Sequence, residues 1–239
     1  MDNDKERTGF AAFMTKVYGI MGFGVLVTAI ISLLVTMSPG HFGLIDITTT
    51  YVGGEAVRQM SLSWFFWVAI FVELGLVLVI SLGSRAFPAG VTWVLFMVYA
   101  ALNGVTLTPL LMVYTGESVF LAFFMAVVVF TVAAVYGHRT KKDLTKLGGI
   151  LMVALISLII AMVINIFIGS SLMAMGISAI AVILFTILTA YDVQALRALY
   201  ASEKEGKRGG LAVLGALTMY LNMINLFIHI LRLIGTKND

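Results

Sequence analysis

The stretch GALTMYLNMINLFIHILRLIG, Gly215 to Gly235, is apolar enough to span a membrane, yet it carries Thr218, Asn222, Asn225, His229 and Arg232. These residues stand four, three, four and three apart. At about 100° per residue they fall within an arc of roughly 80° on a helix. Such a stripe cannot face lipid, because each group would lose water without gaining a partner. It is either a polar seam that glues the helix to its neighbours or the lining of a wet cavity or ion path. Both readings bury this helix inside a bundle.

The rest of the chain supplies the bundle. Of 239 residues, 61% are apolar and 11% charged, with mean hydropathy +1.06. Globular domains carry roughly a quarter charged residues, so this composition is that of an integral membrane protein. Seven segments are long enough for a hydrocarbon core of about 30 Å, which takes roughly 20 helical residues. They are Val17–Met37, Ser61–Leu82, Val91–Val113, Val119–Tyr136, Leu147–Ile168, Leu172–Leu196 and Leu211–Ile234. Helices are required because lipid offers no partner to backbone N–H and C=O groups. Continuous apolar runs disfavour a β-barrel, whose strands would alternate. The expectation is an all-α membrane protein: residues 1–16 a short N-terminus, 17–234 a seven-helix domain, and 235–239 a short tail. The first connection, Ser38–Gln59, is the one long one, and its Gly and Thr residues mark turns.

Basic residues set the expected orientation. One side would hold Lys5, Arg7, Lys16, Arg85, Arg139, Lys141, Lys142, Lys146, Arg197, Lys204, Lys207 and Arg208, the other only Arg58, Arg232 and Lys237. Twelve against three predicts a multi-pass protein of the cell membrane with the N-terminus cytoplasmic and the C-terminus outside.

Three ionisable residues lie within apolar segments. An Asp, Lys or Arg near a helix centre costs roughly 2.5–3.5 kcal/mol on insertion scales. Glu73 sits near the middle of helix two, Asp192 towards the inner end of helix six with Thr189 one turn earlier, and Arg232 in the last turn of helix seven. Arg232 can snorkel to the interface, and Asp192 can reach interfacial water. Glu73 and Arg232 have opposite signs, and an ion pair between them is expected. Asn103, with Tyr99 and Thr106, repeats a four-then-three spacing on helix three, and Asn165 stands alone in helix five. Such residues are commonly helix–helix glue.

Several classes of chemistry are not encoded. There is no Cys, so thiolate chemistry is absent. His229 has no second His or Cys at ligand spacing. HExxH, GxSxG, Walker and dinucleotide-binding fingerprints are all missing. The chain is therefore expected not to be an enzyme, with no catalytic residues and no cofactor. No basic tract interleaves with aromatics, so nucleic acid is not an expected partner.

At these residues the chain resembles a known family. ELGLVLVIS, YAALNGVTLTPLLMVYT, YGHRTKKDL, INIFIG, LTAYDVQALR and MYLNMINLFIHILRLIG resemble, in order, the blocks of the Bax-inhibitor-one family, from about Lys16 to Gly235. The short tails suggest a bacterial-type member. The resemblance implies that helix seven is central and wrapped by two three-helix groups. It also implies a pH-sensitive Ca²⁺ leak, with protons and the lipid bilayer as the other partners. In the bacterial calcium-leak members an aspartate in helix six shares a proton with one in helix seven, and an arginine at the end of helix two latches onto the former. By position these are Asp192, Asn222 and Arg85, so the second aspartate is an asparagine here. Glu73 and Arg232 fall on the family's buried glutamate and its arginine partner.

Two adjacent carboxylates titrate as a unit, because both cannot ionise cheaply. An Asp–Asn pair has no shared proton, so pH control is expected to be blunted. Calcium takes six to eight oxygens, carboxylates among them. Asp192 with carbonyls from Asn222 and Asn225 would make a weak site. The resemblance admits a second function, an embedded modulator of a membrane-anchored AAA protease or stress response that transports no ion.

Overall fold

The computed structural model describes residues 2–37, 45–52, 55–84 and 86–238. Its seven long helices are α1 (Asp2–Met37), α2 (Trp64–Gly83), α3 (Ala89–Val113), α4 (Gly116–Arg139), α5 (Gly148–Ile168), α6 (Ser171–Ser202) and α7 (Arg208–Ile234). Each contains a window long and apolar enough to cross a bilayer. Helix ends follow the local chemistry. Thr115 and Ser170 cap α4 and α6 by accepting bonds from the backbone N–H groups of Ser118 (3.3 Å) and Met173 (3.2 Å). Gly169 ends α5 at φ +68°, the left-handed conformation that glycine adopts without a Cβ penalty.

Two boundaries differ from the sequence reading. α1 starts at Asp2 rather than Val17. The charges before Val17 stop a membrane window but not a helix, and Phe10, Phe13, Met14 and Val17 are all buried. Their i, i+3, i+4, i+7 spacing continues one apolar face through the first turns. Where the first connection is expected to carry Gly and Thr turns, two antiparallel strands form, β1 (Ile45–Val52) and β2 (Glu55–Leu62), with Val52 opposite Glu55 and Ile45 opposite Leu62, so α2 opens at Trp64 rather than Ser61. β-Branched residues in IDITTTYV favour extended backbone.

α7 is the centre. In its most apolar window 72% of residues are buried, against 11–39% in the other six helices. It packs against α6, α4, α1, α3 and α2. α1 and α2 both pack on α3, while α4 and α5 both pack on α6. These are two three-helix groups wrapped round α7, as the resemblance implies. Tyr220, Leu217, Met219, Leu226, Leu231 and His229 of α7 are all buried to 2% exposure or less. The outer surface instead presents Trp64, Phe71, Leu82, Ile166 and Phe167 at 70% exposure or more. An apolar belt of this kind is solvated by acyl chains, not water. The chain is a multi-pass membrane protein.

Small residues let the backbones approach. A Cβ on Gly137 of α4 would collide with the Ala190 carbonyl of α6, and one on Gly104 of α3 would sit 2.6 Å from the Thr28 carbonyl of α1. After α7 the tail returns to the α3–α4 turn. Thr115 N–H donates to the Thr236 carbonyl (3.0 Å) and Asn238 N–H to that of Val113 (2.9 Å).

Candidate functional site

The polar stripe of α7 faces α6 and is partitioned along its length. Thr218 and Asn225 donate to backbone carbonyls of their own helix, Leu214 (3.1 Å) and Leu221 (2.8 Å). They satisfy themselves and reach no neighbour. Asn222, 4% exposed, donates from Nδ2 to Oδ2 of Asp192 at 2.7 Å. His229, 2% exposed, stands 3.3 Å from the Ser178 hydroxyl through Nδ1, and its ring stacks on Phe185 with centroids 6.2 Å apart. Two of the five residues thus fasten α7 to α6, and only Asn222 meets a charge.

The sense of the Asn222 amide follows from chemistry. A carboxylate only accepts, so the side of the amide that meets it must be the NH₂. The amide oxygen then points away from Oδ2, and the two groups as they stand form a closed contact rather than a chelate. A cation seated between them would need the amide to turn its oxygen towards Asp192. Thr189, one turn from Asp192, donates to the Phe185 carbonyl (2.7 Å) and offers no proton to the carboxylate. Among the described residues no three His, Cys, Asp or Glu side chains gather as a metal site. Arg85, the latch residue implied by the resemblance, lies outside the described residues.

Glu73 and Arg232 do not pair. Glu73 is held from α3, with Thr106 Oγ1 donating to Oε1 at 2.6 Å and Asn103 Nδ2 to Oε2 at 3.2 Å. Arg232 lies at the far end of α7 in a cavity of about 270 Å³ shared with Asn165 of α5, whose buried Oδ1 has no hydrogen-bond partner. The expected ion pair fails because neutral donors one helix away already serve the carboxylate, while the guanidinium is exposed at a helix end.

The bonds continue beyond Glu73. Tyr220 of α7 donates to Asn103 Oδ1 (2.9 Å), and its oxygen lies 2.6 Å from the Thr28 hydroxyl of α1. Thr28 also bonds the Ala100 carbonyl at 2.8 Å. The rings of Phe96 and Tyr99 lie edge-on to Tyr220 at 5.5 and 5.7 Å. Glu73, Asn103, Tyr220 and Thr28 therefore link α2, α3, α7 and α1. Sequence spacing singled out Asn103, Tyr99 and Thr106 but missed Tyr220 and Thr28. Tyr220 stands two residues before Asn222 and so roughly 200° round the helix. At one depth, α7 thus has a polar bond to each three-helix group, through Asn222 to Asp192 and through Tyr220 to Asn103.

On the face where α4 ends and α5 begins, Gln194 ties the connecting loop to α6. It accepts from Leu144 N–H (2.8 Å) and donates to the Lys142 carbonyl (2.9 Å). Gln194 is two residues from Asp192, so the basic loop is coupled directly to the helix that carries the carboxylate.

The chain is similar to known proteins along nearly its whole length. The chain is 34% identical over 234 residues to inner membrane protein YbhL of Escherichia coli K12, covering 97% of this chain and 94% of that one. It is 37% identical over 232 residues to a membrane protein of Streptococcus pyogenes serotype M3, covering 97% and 95%. A Deinococcus radiodurans protein is 35% identical over 240 residues, covering 100% and 96%. Residues 11–239 match the family model described as inhibitor of apoptosis-promoting Bax1. With two three-helix groups wrapped round a buried α7, and relatives matched along almost their whole length, the chain belongs to the Bax-inhibitor-one family.

Proposed function

We propose that this protein is a cation leak that passes Ca²⁺ down its gradient. It would lie in the cell membrane, in the inner membrane as YbhL is named, with its N-terminus cytoplasmic. It performs no covalent chemistry. The observation that carries this reading is the 2.7 Å bond from Asn222 to Asp192, a carboxylate buried at membrane depth against the central helix. Placing a carboxylate there is expensive, and among the described residues its side chain is bonded to an amide that can rotate. Closed, the NH₂ occupies the carboxylate. Open, the amide oxygen and the carboxylate face a passing cation together. One carboxylate with neutral oxygens binds calcium weakly, which suits conduction better than storage.

With asparagine in place of the second aspartate, no proton is shared across the α6–α7 contact, and opening depends little on pH. The latch assigned to Arg85 by resemblance completes the closed state on the cytoplasmic side.

Calcium entry into proteoliposomes tests the proposal. Wild type should pass calcium, and Asp192→Asn, which removes the charge that meets Asn222, should pass at least about tenfold less, the equivalent of 1.4 kcal/mol. A wild-type chain that passes none, and instead co-purifies with a membrane-anchored protease, would be a modulator of that protease.

A further inference from the structure

The two three-helix groups each pack on α7, and between α1 and α4 they leave a seam. These helices touch through ring pairs, Tyr18 with Phe130 edge-on at 6.4 Å and Phe10 stacked on His138 at 6.0 Å. Between the pairs lies a cavity of about 540 Å³, a volume typical of a small-molecule site. Its walls at membrane depth are Tyr18, Met21 and Phe130, and its floor is Met223 of α7, next in sequence to Asn222. Its other end is polar, lined by His138 and Arg139 in the last turn of α4.

Polarity changes along the groove, not across it. At the cationic end the guanidinium of Arg197 lies 3.4 Å from His138 Nδ1 and 5.0 Å from the centroid of the Phe10 ring. Arg139 has no hydrogen-bond or ion-pair partner among the described residues, so its donors are free to bind an anion. Further along the same seam a second cavity of about 460 Å³ has no charged residue in its lining. Charge therefore singles out the first. A glycerophospholipid has an apolar chain and, at one end, a phosphate.

We infer that the α1–α4 seam binds one anionic glycerophospholipid, its acyl chain lying against Met21, Phe130 and Met223 and its phosphate on Arg139 and His138. The chain then touches the residue adjacent to Asn222, so occupancy bears on the contact between α7 and α6. The site is independent of the ion that the protein passes.

Native mass spectrometry of the intact protein, exchanged between phosphatidylglycerol and phosphatidylcholine of identical chains, tests the assignment. Wild type should retain one phosphatidylglycerol per chain, preferred about fivefold for each guanidinium engaged. Arg139→Gln should lose that preference and Arg139→Lys should keep most of it. Lys141→Gln removes the same charge outside the groove and should change nothing. Met21→Trp fills the groove without altering charge and should release the lipid while the protein stays folded by circular dichroism. Equal retention of the two lipids by wild type, or unchanged retention in both Arg139→Gln and Met21→Trp, would overturn the proposal. So would a lipid-free dimer, which would assign the seam to a second copy of the chain.

Discussion

Asn222 and Tyr220 are two residues apart on α7 and serve opposite sides of the molecule. Asn222 donates to Asp192 of α6, and Tyr220 to Asn103 of α3. Tyr220→Phe removes one hydroxyl from the Glu73–Asn103–Tyr220–Thr28 chain without creating a cavity. It should lower stability by about 0.5–1.5 kcal/mol, read as a shift in thermal unfolding in detergent. Glu73→Ala should cost more, about 1–3 kcal/mol, because Asn103 then keeps a buried Nδ2 donor without its acceptor.

Reversing both Glu73 and Arg232 should show no rescue. The double variant should equal the sum of the single ones within about 0.5 kcal/mol, as for independent sites. A clear recovery would restore the ion pair that the geometry denies. The Asn222 stripe was legible from spacing alone because all five polar residues share one face. Tyr220 was not, because a tyrosine on an apolar face looks like core until its hydroxyl is seen to meet Asn103.

The helices obey rules that the sequence states openly, and their contacts obey rules that it does not. Seven spans could be read from apolar length, and the burial of α7 from its polar face. The extra turns of α1 escaped because charge was taken as the end of the helix, although Phe10, Phe13, Met14 and Val17 continue its buried face. The β1–β2 hairpin escaped because EAVRQMSL, unlike IDITTTYV, carries one β-branched residue and no alternation along its full length, although the Gly-Gly between them is a recognised hairpin signal. Close approaches of the backbone were also hidden. At Gly137, Ala should lower stability by about 1–3 kcal/mol by forcing α4 from the Ala190 carbonyl of α6.

In the loop after α4, the Thr145 hydroxyl, 2.5 Å from Asp143, holds that carboxyl below its ordinary range, with Lys146 3.9 Å away also favouring the charge. A carboxyl lowered by folding adds its stability fully above its ordinary unfolded value and loses it as pH falls through the lowered one. Amide exchange at Leu144 and Thr145 should therefore stay slow through the neutral range and quicken only in acid, relative to Asp143→Asn at each pH.

At the scale of the whole molecule, two three-helix groups grip one central helix, and α7 is bonded to each at the same depth. A rotation of α7 cannot break one polar contact without straining the other, which would give the proposed leak two linked states instead of a continuous opening. The family resemblance placed helix seven at the centre and put Asp192 and Asn222 together, and both agree with the coordinates. It also implied the Glu73–Arg232 pair, which does not form. The difference arises because alignment carries residue types from protein to protein but not the neutral partners, here Asn103 and Thr106, that compete for the same carboxylate.

Under the proposed function the Asn222–Asp192 contact sets calcium passage, and asparagine there removes its proton switch. Calcium entry measured against pH in proteoliposomes, for wild type and Asn222→Asp, tests it most directly. The account predicts a shallow profile for wild type. For Asn222→Asp it predicts a steep one, with flux changing about tenfold for each pH unit across the transition of the new carboxyl pair. Undetectable calcium entry at every pH in both proteins would contradict it, as would two profiles of the same shape.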